Sequence, residues 1–146
     1  MKYYLLAIVL MLPMIANAES DIISKESAHD VQQTMDKLEA KLKENDVHIF
    51  ARIDHKMNAA EVGMTLGNSQ LLIFGKPQAG TKIMLNDMAA GLDLPMKILV
   101  YTAPDGTTWL TYRNPQWLKK DYALDECVVI GKLETTLDKL TSAVVK

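Results

Sequence analysis

The sequence predicts an α+β fold in which a mixed sheet of about five strands packs against two long amphipathic helices as a two-layer sandwich. Three observations carry that expectation. Val31, Met35, Leu38 and Leu42 recur at helical spacing near the start of the chain. Val129, Leu133, Leu137, Leu140 and Val144 do the same at its end. Between them lie short apolar runs punctuated by Gly and Pro, which suit strands and turns better than helices.

The first element is a leader. Lys2 is followed by an almost purely apolar run from Leu5 to Ile15, and Ala16-Asn17-Ala18 places small side chains two apart, as signal peptidase requires. Pro13 breaks the run, which is short for a bilayer core of about 30 Å. A signal peptide over residues 1–18, cleaved between Ala18 and Glu19, and one domain over 19–146 are expected. The product is periplasmic or secreted, with no membrane span in the mature chain.

Asp21 to Lys25 reads as a strand ending at Ser27, whose hydroxyl can cap the first helix. Asn45 stops that helix, and Val47, Ile49, Ala51 and Ile53 then alternate with His48, Phe50, Arg52 and Asp54, the period of a half-buried strand. A short helix is expected around Ala59 to Met64. Leu71-Leu-Ile-Phe74 predicts a strand covered on both faces, ended by Gly75 and Pro77. Gly80 to Met88 predicts a helix, and Pro95 opens a strand whose partner begins at Thr107 after the turn Pro104-Asp105-Gly106. Asn114-Pro115 starts a short helix, and Asp125 is the expected cap of the last one.

Composition excludes several functions. With 16 basic and 18 acidic residues there is neither a strong field nor a basic stripe with interleaved aromatics, so a nucleic-acid partner is not expected. Cys127 is the single cysteine, which leaves no internal disulfide, and beside Val128, Val129 and Ile130 it reads as a small buried hydrophobe. There is no C-x-x-C-H for a covalent haem, and His29, His48 and His55 are scattered, so no cofactor or metal is expected. Met57, Met64, Met84, Met88 and Met96 crowd the middle of the chain and read as packing filler rather than soft ligands.

Two candidate sites follow from polar residues near element ends. Arg52, Asp54 and His55 close the second strand while Asp93 and Lys97 flank the start of the fourth; if those ends are neighbours, carboxylates, an imidazole and an ammonium converge. The plainer alternative is that aspartates at strand ends tie down turns and that surface Lys–Asp pairs are weak. The second candidate is the segment Gly75, Lys76, Gly80, Thr81 and Lys82, a Gly-bearing turn ahead of a helix that could present backbone donors to an anion. It is not a P-loop, since Thr81 rather than Lys follows the second glycine, and Pro77 removes a donor.

Phe50-Ala-Arg-Ile-Asp-His55, Leu71-Leu-Ile-Phe-Gly-Lys-Pro77 with Gly80-Thr81, Asp93-Leu-Pro-Met-Lys97, Trp109-Leu-Thr-Tyr112 and Asn114-Pro115 occur in an order and spacing that resemble the DUF302 family, from Ile22 to Leu140. The resemblance implies a compact α+β fold of the TT1751-like type, often homodimeric, and no agreed activity. Members usually carry Asn-Pro where this chain has Lys76-Pro77, and a proline where Lys82 stands. Both departures add positive charge to the turn.

The function expected is therefore non-catalytic: a homodimer that binds a small molecule or an envelope protein, with Trp109, Tyr112 and Trp117 as interface candidates if they are not core. The alternative is an enzyme using His55 with Asp54 or Asp93 as acid and base, and Lys97 to hold an anionic substrate.

Overall fold

A computed structural model describes residues 20–146; the leader and the junction between Ala18 and Glu19 lie outside the described residues. The strands are β1 (Ile22–Ser27), β2 (His48–Asp54), β3 (Ser69–Gly75), β4 (Met96–Thr102) and β5 (Thr108–Arg113), and the helices α1 (Val31–Glu44), α2 (His55–Glu61), α3 (Pro77–Asn86), α4 (Leu118–Asp121) and α5 (Val128–Val144). Two 3-10 turns, Met88–Leu92 and Pro115–Trp117, complete the described chain.

The strands form one sheet in the order β1-β5-β4-β3-β2. Every pairing is antiparallel, so the α+β sandwich holds but its sheet is not mixed. A short connection sets the sense of one pair: the β4–β5 link turns at Pro104-Asp105-Gly106, with Gly106 at φ 89 and the Asp105 carboxylate accepting from Thr107 N at 2.9 Å.

Both long helices pack on one face of the sheet. Val31, Met35, Leu38 and Leu42 of α1 meet Leu72, Phe74, Ile98, Val100, Leu110 and Tyr112 of the strands and Leu137, Leu140 and Val144 of α5 in the larger hydrophobic cluster. A second cluster gathers Ile83, Ala90, Leu118, Leu124, Cys127 and Ile130 around the start of α5, and Leu94 packs against both. Cys127 is thus a buried small apolar group, as its neighbours predict.

The opposite face of the sheet is bare of cluster residues. By register Trp109 pairs with Tyr101, Leu99 with Leu71, Leu71 with Ile53, and Ile73 with Ala51. All are half-buried and none belongs to either cluster. The expectation that β3 is covered on both faces is corrected accordingly: Leu72 and Phe74 are buried while Leu71 and Ile73 are not.

Several element ends differ from the sequence expectation for local reasons. Asp30, not Ser27, caps α1 by accepting from Gln33 N at 2.8 Å, while Ser27 bonds the Thr34 hydroxyl at 2.7 Å inside the fold. The short helix after β2 starts at His55, because the Asp54 carboxylate is free to cap it. Pro77 fits the first helical position, so α3 begins three residues before Gly80 and ends at Asn86. Cys127, whose side chain makes no capping bond, occupies the cap of α5 in place of Asp125. Met57, Met64 and Met88 are 63%, 69% and 73% exposed and so are not packing filler; Met96 is buried.

Candidate functional site

The first predicted cluster does not assemble. β2 and β4 are both antiparallel to β3 and so run the same way, which puts the end of one and the start of the other at opposite ends of the strands. Asp54 pairs with Gln70 and Gln70 with Val100, whereas Lys97 pairs with Ile73 three residues away. That separates Asp54 and His55 from Lys97 by about 10 Å along the strands and by two strand spacings, about 10 Å more, across them. Asp54 also faces the helices while Lys97 faces away.

Each part of the cluster has a structural task. Arg52 reaches α1, its Nη1 donating to Asp36 at 2.8 Å and Glu39 at 2.9 Å, and its Nε donates to Gln70 Oε1 at 2.9 Å. Burial pulls the guanidinium pKa down, but Asp36 and Glu39 together hold it above its ordinary value. Asp36 in turn is held below the usual carboxylate range by the Arg52 hydrogen bond. Asp54 accepts from Met57 N at 3.0 Å and Gln70 Nε2 at 3.2 Å, which spends it on capping α2 and orienting β3. His55, the first residue of that helix, makes no side-chain hydrogen bond to another described residue.

Asp93 and Lys97 do stay together, but through backbone: the Lys97 ammonium donates to the Asp93 carbonyl at 3.3 Å and the Pro95 carbonyl at 3.1 Å. The Asp93 carboxylate accepts from the Tyr122 hydroxyl, a partner 29 positions away that spacing could not reveal. They line a cleft of about 520 Å³ with Arg113, Trp117 and Asp121. The Arg113 guanidinium stands 4.9 Å from the Trp117 ring, a cation–π contact that fixes both side chains. Trp117 therefore belongs to a cleft wall and Tyr112 to the core, leaving Trp109 of the three proposed interface aromatics on the open face of the sheet.

The second predicted segment is placed differently from the expected turn. Gly75 ends β3, Lys76 is the cap position, and Gly80, Thr81 and Lys82 are already helical. Ala79 N and Gly80 N donate to the Lys76 carbonyl at 2.9 and 3.1 Å, and Pro77 has no N–H, so the backbone is not a cradle of free donors. The segment instead separates two clefts. One, about 400 Å³, is lined by Phe50, Gly80, Thr81, Met84 and Leu94; the other, about 390 Å³, by Leu42, Phe74, Lys82, Lys132, Thr136 and Leu140. Gly75, Lys76, Ala79, Met96 and Leu133 belong to both. Sequence reasoning missed the contribution of Lys132, Leu133 and Thr136, although Leu133 stood in the visible α5 stripe and the other two flank it on the same helix; what it did not show is that α3 lies beside them.

No described helix is long and apolar enough to cross a membrane, and no three His, Cys, Asp or Glu side chains among the described residues converge as metal ligands. Comparison with known proteins gives a family and a fold. Over 112 residues the chain is 38% identical to a protein of Brucella suis named fluoride-specific ion channel FluC 1, covering 77% of this chain and 44% of that one. The same identity over the same length relates it to a Brucella abortus protein of that name, of which 42% is covered. The chain thus spans less than half the length of these curated relatives. The crystal structure of an uncharacterized conserved DUF302 protein from Bacillus stearothermophilus superposes with a TM-score of 0.70 at 18% identity, covering 87% of this chain and 97% of the other. Residues 23–144 match the model of the domain of unknown function DUF302, and the chain belongs to that family.

Proposed function

We propose that the protein is an exported, non-catalytic DUF302 domain that works as a homodimer and binds a small ligand. The observation that carries this is the pair of largely apolar clefts sharing the Gly75–Lys76 wall, of a size that suits small-molecule sites and with no acid–base pair inside them. The dispersal of Asp54, His55, Asp93 and Lys97 removes the geometry that proton transfer through them requires. The open sheet face, with Leu71, Leu99, Tyr101 and Trp109, supplies an apolar surface that two copies can cover about a two-fold axis.

Native mass spectrometry of the protein collected after export tests all three parts. The expected species is a dimer of chains beginning at Glu19, carrying a small added mass that is released on unfolding. Leu99→Glu should yield the monomer with the added mass retained. A chain that still includes Met1, a monomer at high concentration, or a bare polypeptide would each remove the corresponding part.

A second reading, contact with an envelope protein, is favoured by the curated relatives, in which more than half the chain lies outside the matched segment and which are named as ion channels. Met57, Val62, Met64 and Leu66, exposed by 46% or more in one stretch, offer the surface. A photo-crosslinking residue at Met64 should capture a co-expressed fluoride channel, and Met64→Glu should abolish the capture.

A further inference from the structure

Resting on the ligand-binding reading above, we infer that the ligand is a single-chain amphiphile with an anionic head. Its head sits among Lys76, Lys82 and Lys132 and its aliphatic tail lies across the Gly75–Ala79 wall into the adjoining lobe. Charge is the first argument. The lobe that holds these lysines is lined by three ammonium groups and no carboxylate. None of the three makes a salt bridge or a side-chain hydrogen bond to another described residue. Elsewhere the fold does pair such groups: Lys25 reaches Asp138 Oδ1 at 2.7 Å, the Thr141 hydroxyl at 2.9 Å and the Ser142 hydroxyl at 2.8 Å. In the Asp93 cleft two cations are matched by two carboxylates. The three-lysine lobe gathers three unbalanced positive charges over an apolar floor.

That floor is the second argument. It runs along the seam between the two hydrophobic clusters, with Leu42, Phe74 and Leu140 on one side and Leu133 half-buried beside them. The adjoining lobe continues the apolar path through Met84 and Leu94, with Lys76 the single charged residue in its lining. A polar or bulky rigid ligand would leave that path unfilled. A flexible hydrocarbon fills it, and each methylene taken out of water strengthens binding by about threefold to fourfold.

The experiment titrates the mature dimer by calorimetry with dodecanoate, octanoate and dodecyltrimethylammonium, each below its micellar concentration. Dodecanoate should bind more tightly than octanoate, the cationic amphiphile should not compete, and added salt should weaken binding. Replacing all three lysines by glutamine should cost about tenfold or more, the product of about twofold to fivefold at each exposed lysine. Thr136→Trp, which fills the lysine lobe from an exposed position, should abolish binding; Lys132→Glu serves the same end if the tryptophan disturbs folding. A Cβ at Gly80 meets nothing within 4 Å, so Gly80→Trp should fold and selectively weaken dodecanoate relative to octanoate by closing the tail lobe. Dodecyltrimethylammonium binding as well as dodecanoate, or unchanged affinity in both Thr136→Trp and Lys132→Glu, overturns the inference. If dodecanoate fails to bind while the exported protein still carries a small added mass, this inference falls and the broader ligand-binding proposal stands; a bare exported protein sinks that proposal instead.

Discussion

The larger hydrophobic cluster and the smaller one are assembled on different terms. The larger takes four side chains from α1 and three from α5, and the strands beneath them are joined by continuous ladders. The smaller collects its members one or two at a time from α3, a 3-10 turn, α4, the loop after it and the beginning of α5. Its elements are tied by isolated polar links, such as Asp87 Oδ2 accepting from Ala123 N at 3.0 Å and Glu134 accepting from Asn114 and Gln116, each at 2.8 Å. A cluster backed by sheet ladders opens only when the domain unfolds, whereas one held by short helices and surface links opens locally at lower cost. The clefts lie along the boundary between the two. A ligand site there can flex without disturbing the sheet.

The strongest test of this difference is a matched pair of truncations. Leu110→Ala, at a fully buried site, should cost about 2–5 kcal/mol and lower the urea midpoint of the whole domain. Leu124→Ala, equally buried, should cost about 2 kcal/mol, the low end of that range, because the short elements around it are not held by a sheet ladder and can settle inward. Cys127 distinguishes the two modes: its buried thiol should react with a thiol reagent much faster in Leu124→Ala than that variant's midpoint predicts, and in step with the midpoint in Leu110→Ala. Labelling that tracks global unfolding in both variants would mean that the two clusters form one cooperative unit.

The same contrast accounts for what could be read from the residues. The α1 stripe and the turn at Pro104-Asp105-Gly106 are periodic or local signals, and the structure places both as expected. The alternation in β2 gives the strand but not its face: the register shift between Ile49 and Ala51 leaves Val47 and Ile49 against the larger cluster and turns Ala51 and Ile53 to the open side. Strand sense was not available from period alone. The proposed gathering of Asp54, His55, Asp93 and Lys97 needed the end of β2 beside the start of β4, and the antiparallel β3 between them forbids it. Likewise Gly75 to Lys82 announced a positively charged turn, but Pro77 draws the helix forward and consumes the backbone donors. The charge survives in the side chains, and Lys132, brought to them by packing of α5 against α3, could be found only from the fold.

A smaller effect is expected where the larger cluster meets solvent. Arg52, about a quarter exposed, joins β2 and β3 to α1 through Asp36, Glu39 and Gln70. Arg52→Ala leaves the mostly buried Glu39 carboxylate with only the more exposed Lys43, 3.3 Å away, as its cation, and should cost about 1 kcal/mol in chemical denaturation. Arg52→Lys should recover little, since an ammonium cannot reproduce the fork that serves three partners. Because Asp36 titrates below its unfolded value, its contribution is present above the unfolded carboxylate pKa and is lost as pH falls through the folded one. That acid-limb loss should shrink in Arg52→Ala; an unchanged acid limb would show that the clamp is not what stabilises Asp36.

The smallest effect belongs to the polar links of the minor region, and its sign runs the other way along the pH axis. The hydrogen bond to Asp93 holds the Tyr122 proton and, with burial and the nearby carboxylate charge, pushes its pKa from an ordinary value of about 10 up to about 12. A phenol whose folded value is raised contributes stability in full below its unfolded pKa, and that contribution fades as pH rises through the folded one. Native protein should therefore lose stability between these two values, and tyrosinate absorption should show one tyrosine titrating late. Asp93→Asn removes the negative charge and should bring that titration down towards the ordinary range, while Tyr122→Phe should flatten the alkaline limb with little change in the neutral midpoint. If Tyr122→Phe instead lowers the neutral midpoint as far as Leu124→Ala, the link is a main support of the minor region, and its ease of opening must come from the absence of sheet ladders alone.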